Sequence, residues 1–173
     1  STAFAVSLLG PLSAKTGITI DATGATTTTV ATLSAITLTG AGSNLSVTAN
    51  NTAGGANSGI RALGAISLAS GSGLSFVTNN LITVNGAISV AANNTGSSAN
   101  LFFDTSTGTN ASSVSLNGAI TTVAVGSSQS GLRILTKGAP ISTAAGITLT
   151  GLIDFNNTVG LGAGVANAAD GIS

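Results

Sequence analysis

Apolar residues along this chain recur at every second position, in short bursts. Ile18/Ile20, Ile36/Leu38, Leu45/Val47, Ile66/Leu68, Leu74/Phe76, Ile88/Val90, Leu101/Phe103, Val114/Leu116, Val123/Val125, Leu132/Ile134, Ile147/Leu149 and Ile153/Phe155 follow the pattern, with Ser, Thr, Ala, Gly or another residue between each pair. Clusters of Gly, Asn and Ser separate one burst from the next. A period of two puts alternate side chains on one face, so each burst predicts a short strand with one buried side. Helices are not expected. The chain holds 24 Gly, and its β-branched residues and Asn are abundant; all of these are unfavourable inside a helix.

The strands also repeat as sequence. A Gly-Ala-Ile or Ser-Ala-Ile motif ends at Ile36, Ile66, Ile88 and Ile120, and a looser Ala-Pro-Ile copy ends at Ile141. Asn-Asn-Thr recurs at Asn50–Thr52, Asn93–Thr95 and Asn156–Thr158. SGIRAL (Ser58–Leu63) resembles SGLRIL (Ser130–Leu135), and SANLFFDT (Ser98–Thr105) takes the same place in the cycle. Periods of about 20–50 residues point to a solenoid, in which no unit buries its apolar face alone and neighbours stack. The expected fold is therefore all-β, a parallel β-solenoid. Coils of roughly 20–25 residues, stacked about 4.8 Å apart, give about seven coils and a rod on the order of 35 Å long. The solenoid repeats would occupy residues 17–160. Residues 1–16 form an apolar N-terminal segment that caps the rod or acts as an inter-subunit strand, and residues 161–173 form a Gly/Ala-rich end. A β-sandwich polymerised by a donated N-terminal strand is the alternative, but it would not require the Gly-Ala-Ile repeat.

Composition removes several kinds of chemistry. Charged residues make up 5 % of the chain and its net charge is zero. The four cations are scattered (Lys15, Arg61, Arg133, Lys137) and offer no phosphate footprint, so no nucleic-acid partner is expected. His, Cys and Glu are absent, which removes the usual ligands of zinc and the usual members of nucleophilic dyads. No cofactor, metal or catalytic residue is expected, and the chain is not read as an enzyme. No apolar run reaches the roughly 18–20 residues of a membrane helix. Close stacking of like rungs disfavours charge, so the composition and the repeat share one cause.

The stretches AITLTGAGSNLSVTANNT (Ala35–Thr52) and GAISLASGSGLSFVTNN (Gly64–Asn80) resemble repeats of filamentous-haemagglutinin-like and autotransporter adhesins. The resemblance covers most of residues 17–160. It implies a right-handed parallel β-helix and secretion to the cell surface, with a signal peptide removed beforehand. It carries over no functional residue.

Four surface features are candidates for function. Arg61, Phe102 and Arg133 would point outward from equivalent strands, forming a strip for a partner or for cation–π contacts; Asp104 or Asp154 is a candidate ion-pair partner for the arginines. Thr26–Thr29, Thr37/Thr39 and Thr148/Thr150 offer Thr-rich strand faces of the kind that order water, although Thr-x-Thr does not recur once per coil. Asn44, Asn50, Asn93, Asn110 and Asn156 begin Asn-x-Ser/Thr sequons. The two apolar ends, with Phe4, Val6, Leu8 and Leu9 at one and Val159 and Leu161 at the other, are the candidate inter-subunit contacts, because a solenoid exposes an open sheet edge at each terminus. The expected function is an extracellular structural or adhesive protein that self-assembles head-to-tail into a surface filament, sheath or biofilm fibre. The alternative is an ice- or glycan-binding module of a larger surface adhesin. The expected partners are further copies of the chain, then glycans or a host or neighbouring cell surface.

Overall fold

The computed structural model describes residues 4–23, 29–50, 59–93, 100–107, 113–124, 131–136, 141–143, 147–148 and 153–157. Among them the chain runs through six rungs of three strands. The first rung is β1 (Phe4–Ser7), β2 (Leu12–Ala14) and β3 (Ile18–Asp21); the second is β4 (Thr29–Leu33), β5 (Ile36–Leu38) and β6 (Asn44–Thr48). The third is β7 (Gly59–Ala62), β8 (Ile66–Leu68) and β9 (Gly73–Val77); the fourth is β10 (Leu81–Val84), β11 (Ile88–Asn93) and β12 (Asn100–Asp104). The fifth is β13 (Val114–Leu116), β14 (Ile120–Ala124) and β15 (Gly131–Thr136); the sixth is β16 (Ile141–Thr143), β17 (Ile147–Thr148) and β18 (Ile153–Asn157).

The first strand of every rung joins one six-stranded sheet, here sheet A; the second joins sheet B and the third sheet C. Each strand pairs in parallel with its counterpart in each adjacent described rung. This is a parallel β-solenoid with a three-sided cross-section, not the antiparallel pairing of a β-sandwich. Its described rungs number six, against about seven expected from an average coil length. The average misleads because the connection from sheet C to sheet A varies widely: β9 reaches β10 through residues 78–80 alone, whereas the link from β6 to β7 spans residues 49–58.

Alternation decides what faces inward. Ile36 and Leu38, Leu45 and Val47, Ile60 and Ala62, and Leu74 and Phe76 are buried, while Thr37 and Arg61 between them are exposed. Stacking repeats the arrangement in register: Ile36, Ile66, Ile88 and Ile120 form one apolar column, and Leu45, Leu74, Leu101 and Leu132 another. Each fully buried side chain of this size contributes about 1.5–3 kcal/mol relative to exposure. Phe76 and Phe103 stack on adjacent rungs with ring centroids 5.7 Å apart at 85°, the edge-to-face geometry that aromatic quadrupoles favour.

The corners explain the Gly and Asn clusters. Gly64, Gly86 and Gly118 stack at the A–B corner, where a Cβ on any of them would meet the backbone of the rung below. Beside them the Asn117 side-chain amide donates to Asn85 Oδ1 at 2.9 Å. At the B–C corner Gly42 and Gly71 take the left-handed conformation, with φ of 71° and 68°, which β-carbons disfavour. At the C–A corner Thr78 is buried and its hydroxyl donates to the Ala49 carbonyl at 2.6 Å. Polar groups of one turn thus find partners in the turn below.

Two sequence repeats land elsewhere than expected. The Ala-Pro-Ile copy puts Ile141 in sheet A, paired with Val114, and the true successor of Ile120 in sheet B is Ile147. The strand within SGIRAL, β7, lies in sheet A, whereas β12 and β15, the strands within SANLFFDT and SGLRIL, lie in sheet C. An in–out–in burst fits any of the three sheets, so local alternation cannot say which sheet a strand joins. The segment after the strand decides it. Ala62 runs directly into the Leu63-Gly64-Ala65-Ile66 corner, which commits β7 to sheet A.

Candidate functional site

The outward residues of sheet C form a column, Thr19–Ser46–Ser75–Phe102–Arg133, joined rung to rung by register. Phe102 is half-buried and Arg133 exposed, and they are neighbours, as expected. Arg61 is not with them. It is exposed on sheet A, in register with Thr32 and Thr83, so the three-residue strip reduces to Phe102 and Arg133. Asp154 occupies the next register position after Arg133. Asp104 has local work: its Oδ1 accepts from the Ser106 backbone N–H at 2.7 Å and the Ser106 hydroxyl at 2.6 Å, closing the turn after β12.

Below Phe102 the column shrinks to Ser75 and Ser46, and β9 begins at Gly73. The step in side-chain size opens a depression of about 390 Å³ on the outer face, lined by Asn44, Ser46, Gly71, Gly73, Ser75 and Phe102, together with Leu45 and Leu74. Asn44, one of the sequon residues, is exposed here, and its Oδ1 accepts from the Gly73 N–H at 2.9 Å. No lining residue is charged.

Sheet B carries a feature that sequence reasoning missed. Its outward column is Ser13–Thr37–Ser67–Ser89–Thr121, continued in register by Thr148, so a hydroxyl residue stands on every described rung. The hydroxyls can link along the axis, Ser89 Oγ donating to Ser67 Oγ at 3.4 Å. The signal was present: after the motif-ending Ile36, Ile66, Ile88 and Ile120 comes Thr, Ser, Ser and Thr. A search for Thr-x-Thr overlooks it, because Ser takes three of the six positions and each strand gives the column a single residue.

The first rung differs from those inside the stack. Val6, Leu12, Ile18 and Ile20 are half-buried, whereas their register partners Ala31, Ile36, Leu45 and Val47 are fully buried. β1, β2 and β3 each have one described neighbour, so three parallel edges surround a partly uncovered apolar layer. Leu8 packs half-buried against the core, and Leu9, at the A–B corner, is 91 % exposed. Phe4 opens β1 opposite Thr29. Val159 and Leu161 lie outside the described residues.

Other candidates are dispersed. Of the threonine run, Thr29 begins β4 and Thr26–Thr28 lie outside the described residues. Asn50 Oδ1 is buried without a hydrogen-bond partner among the described residues, Asn93 ends β11, Asn156 lies in β18, and Asn110 is outside the described residues. Asp21, fully exposed at the end of β3, has its pKa held below the usual carboxylate value by hydrogen bonds from the Thr23 hydroxyl and the Thr23 backbone N–H. Among the described residues no three His, Cys, Asp or Glu side chains come together as a metal site, and no helix is long and apolar enough to cross a membrane. No family model, curated protein or solved structure matches the chain.

Proposed function

We propose that the chain is a structural rod of an extracellular surface protein, a right-handed solenoid whose copies stack rung on rung into a filament, sheath or biofilm fibre. The observation that carries this reading is the stacking itself: every described rung repeats one three-sided outline, joined to the next by parallel, in-register ladders around one apolar core. Open edges template pairing with another chain, and each rung repeats the same three-sided outline, so the rung of a second copy fits it. Near-zero net charge removes the repulsion that would hold copies apart. In this role the chain performs no catalysis; its mechanism is backbone ladders around a dry core.

Electron microscopy and fibre diffraction of the purified chain test the proposal. The expected result is fibres with an axial spacing of about 4.8 Å running through subunit junctions. Ile18→Lys, which puts a charge among the half-buried apolar residues of the first rung, is expected to leave monomers. Wild-type protein that stays monomeric at high concentration sinks the stacking reading; a discrete bead repeat replaces it with strand donation.

The hydroxyl column of sheet B favours a second role, a surface that orders water and binds ice. It is regular along the axis, uncharged at every position, and flanked by exposed Ala65, Ala87 and Ala119 at the A–B corner. Thermal hysteresis that falls when Ser89 is replaced by Lys supports this role; no hysteresis in the wild type removes it.

A further inference from the structure

The depression beside Phe102 has the chemistry of a binding site that the rod role does not use. Its volume of about 390 Å³ falls within the roughly 300–1,000 Å³ of small-molecule sites. One wall is aromatic: Phe102 is half-buried, held in place because Leu101 and Phe103 on either side of it are locked in the core. The floor and far side are polar but neutral. Ser46 and Ser75 are half-buried hydroxyl residues, and Asn44 contributes an amide whose Oδ1 is already committed to the Gly73 N–H, leaving its NH₂ group as the donor for a ligand. The absence of side chains at Gly71 and Gly73 keeps the space open.

These features select among ligands. A phosphate or carboxylate ligand would be drawn to a cation, and the lining has none. An extended peptide gains most from a free strand edge, and this site is on a sheet face between paired strands β6, β9 and β12. A neutral ring with one C–H face and a rim of hydroxyls meets every group present. Its apolar face covers the Phe102 ring, and its hydroxyls exchange hydrogen bonds with Ser46, Ser75 and Asn44. We propose that this depression is a subsite for a neutral pyranose unit of a glycan, at which Phe102 is the stacking platform and Ser75 the floor. The site lies within three consecutive rungs of one chain, so it does not depend on stacking between copies.

A single ring held by one aromatic face and a few exchangeable hydrogen bonds binds weakly, with a dissociation constant on the order of 1 mM. The test is titration of the full chain with the methyl pyranosides of glucose, galactose and mannose, followed by amide correlation spectra. The expected result is saturable shifts confined to β6, β9, β12 and the Gly71 turn for at least one of the sugars. Phe102→Ala weakens binding about three- to tenfold. Ser75→Phe, which fills the depression from an outward position, abolishes it, with circular dichroism unchanged in both variants. The proposal is overturned by any of three outcomes: no saturable shift with any of the three sugars, shifts that survive Ser75→Phe, or equal shifts from the acyclic polyol sorbitol. Binding confined to acidic sugars and lost in Arg133→Ala but not in Phe102→Ala also overturns it, by moving the contact to the arginine.

Discussion

Replacing Gly86 with alanine is expected to destabilise the solenoid by at least about 3 kcal/mol, combining overpacking with weakened turn hydrogen bonds. For a chain of this length that is a fall of roughly 6–12 °C in melting temperature. A Cβ at Gly86 would land on the Gly64 carbonyl group and within 2.6 Å of the Ala65 nitrogen. All of these are backbone atoms of the rung below, so no side chain can swing aside. Relief requires the rungs to part at the A–B corner, where Ile66 N–H donates to the Ala87 carbonyl and Asn85 N–H to the Ala62 carbonyl, each at 2.8 Å. The Asn117–Asn85 side-chain bond sits on the same corner. Urea unfolding of Gly86→Ala and Gly118→Ala checks the prediction, with Gly10→Ala as the control. Gly10 occupies the corner of the first rung and has no atom within 4 Å of its would-be Cβ, so its replacement should stay within about 0.5 kcal/mol of wild type. Equal midpoints for all three variants would show that the rungs do not approach this closely.

That corner also shows what the sequence makes legible. Gly-Ala-Ile recurs from the third rung to the fifth because that corner combines three things in order: a residue whose Cβ would strike the rung below, a small outward residue, and an apolar residue turning into the core, whereas the second rung has Ser34 in the first place. The motif therefore marks sheet B at Ile36, Ile66, Ile88 and Ile120 correctly. Its degenerate copy misleads at Ile141, where the same in–out pattern serves sheet A. Alternation is equally blind to the difference between Arg61 and Arg133, because each sheet demands the same inward pair around an outward residue. An average period overestimates the number of coils because the links between sheets C and A differ in length from rung to rung. The two outer-face features were hidden for a further reason. Ser75 and Phe102 are far apart in sequence and meet only through stacking. The depression is a difference in size between neighbours that exist only after register is set. The hydroxyl column of sheet B likewise becomes a column only when six strands align.

Replacing Phe76 with alanine is expected to cost about 3–5 kcal/mol, the range for removing a buried aromatic side chain. Phe76 and Phe103 are both fully buried and are register partners on β9 and β12. In the column through sheet C they are adjacent, between Val47 below and Ile134 above. Neither of those can reach into the space a lost ring would leave, so the cavity persists. Phe103→Ala should cost a similar amount. The double variant should cost less than the sum of the two by about 0.5–1.5 kcal/mol, since the edge-to-face contact is lost only once. Phe102→Ala separates burial from aromaticity. Its neighbour in sequence is Phe103, but its side chain points out and is only half-buried, so its removal should cost no more than about 1 kcal/mol. Because stability in a stacked array is carried between nearest neighbours, the Phe76→Ala loss should be local at first. Hydrogen exchange should accelerate in rungs three and four before the rungs on either side. If Phe76→Ala proves no more costly than Phe102→Ala, or if exchange rises evenly along the rod, the aromatic pair is not what joins the middle of the solenoid.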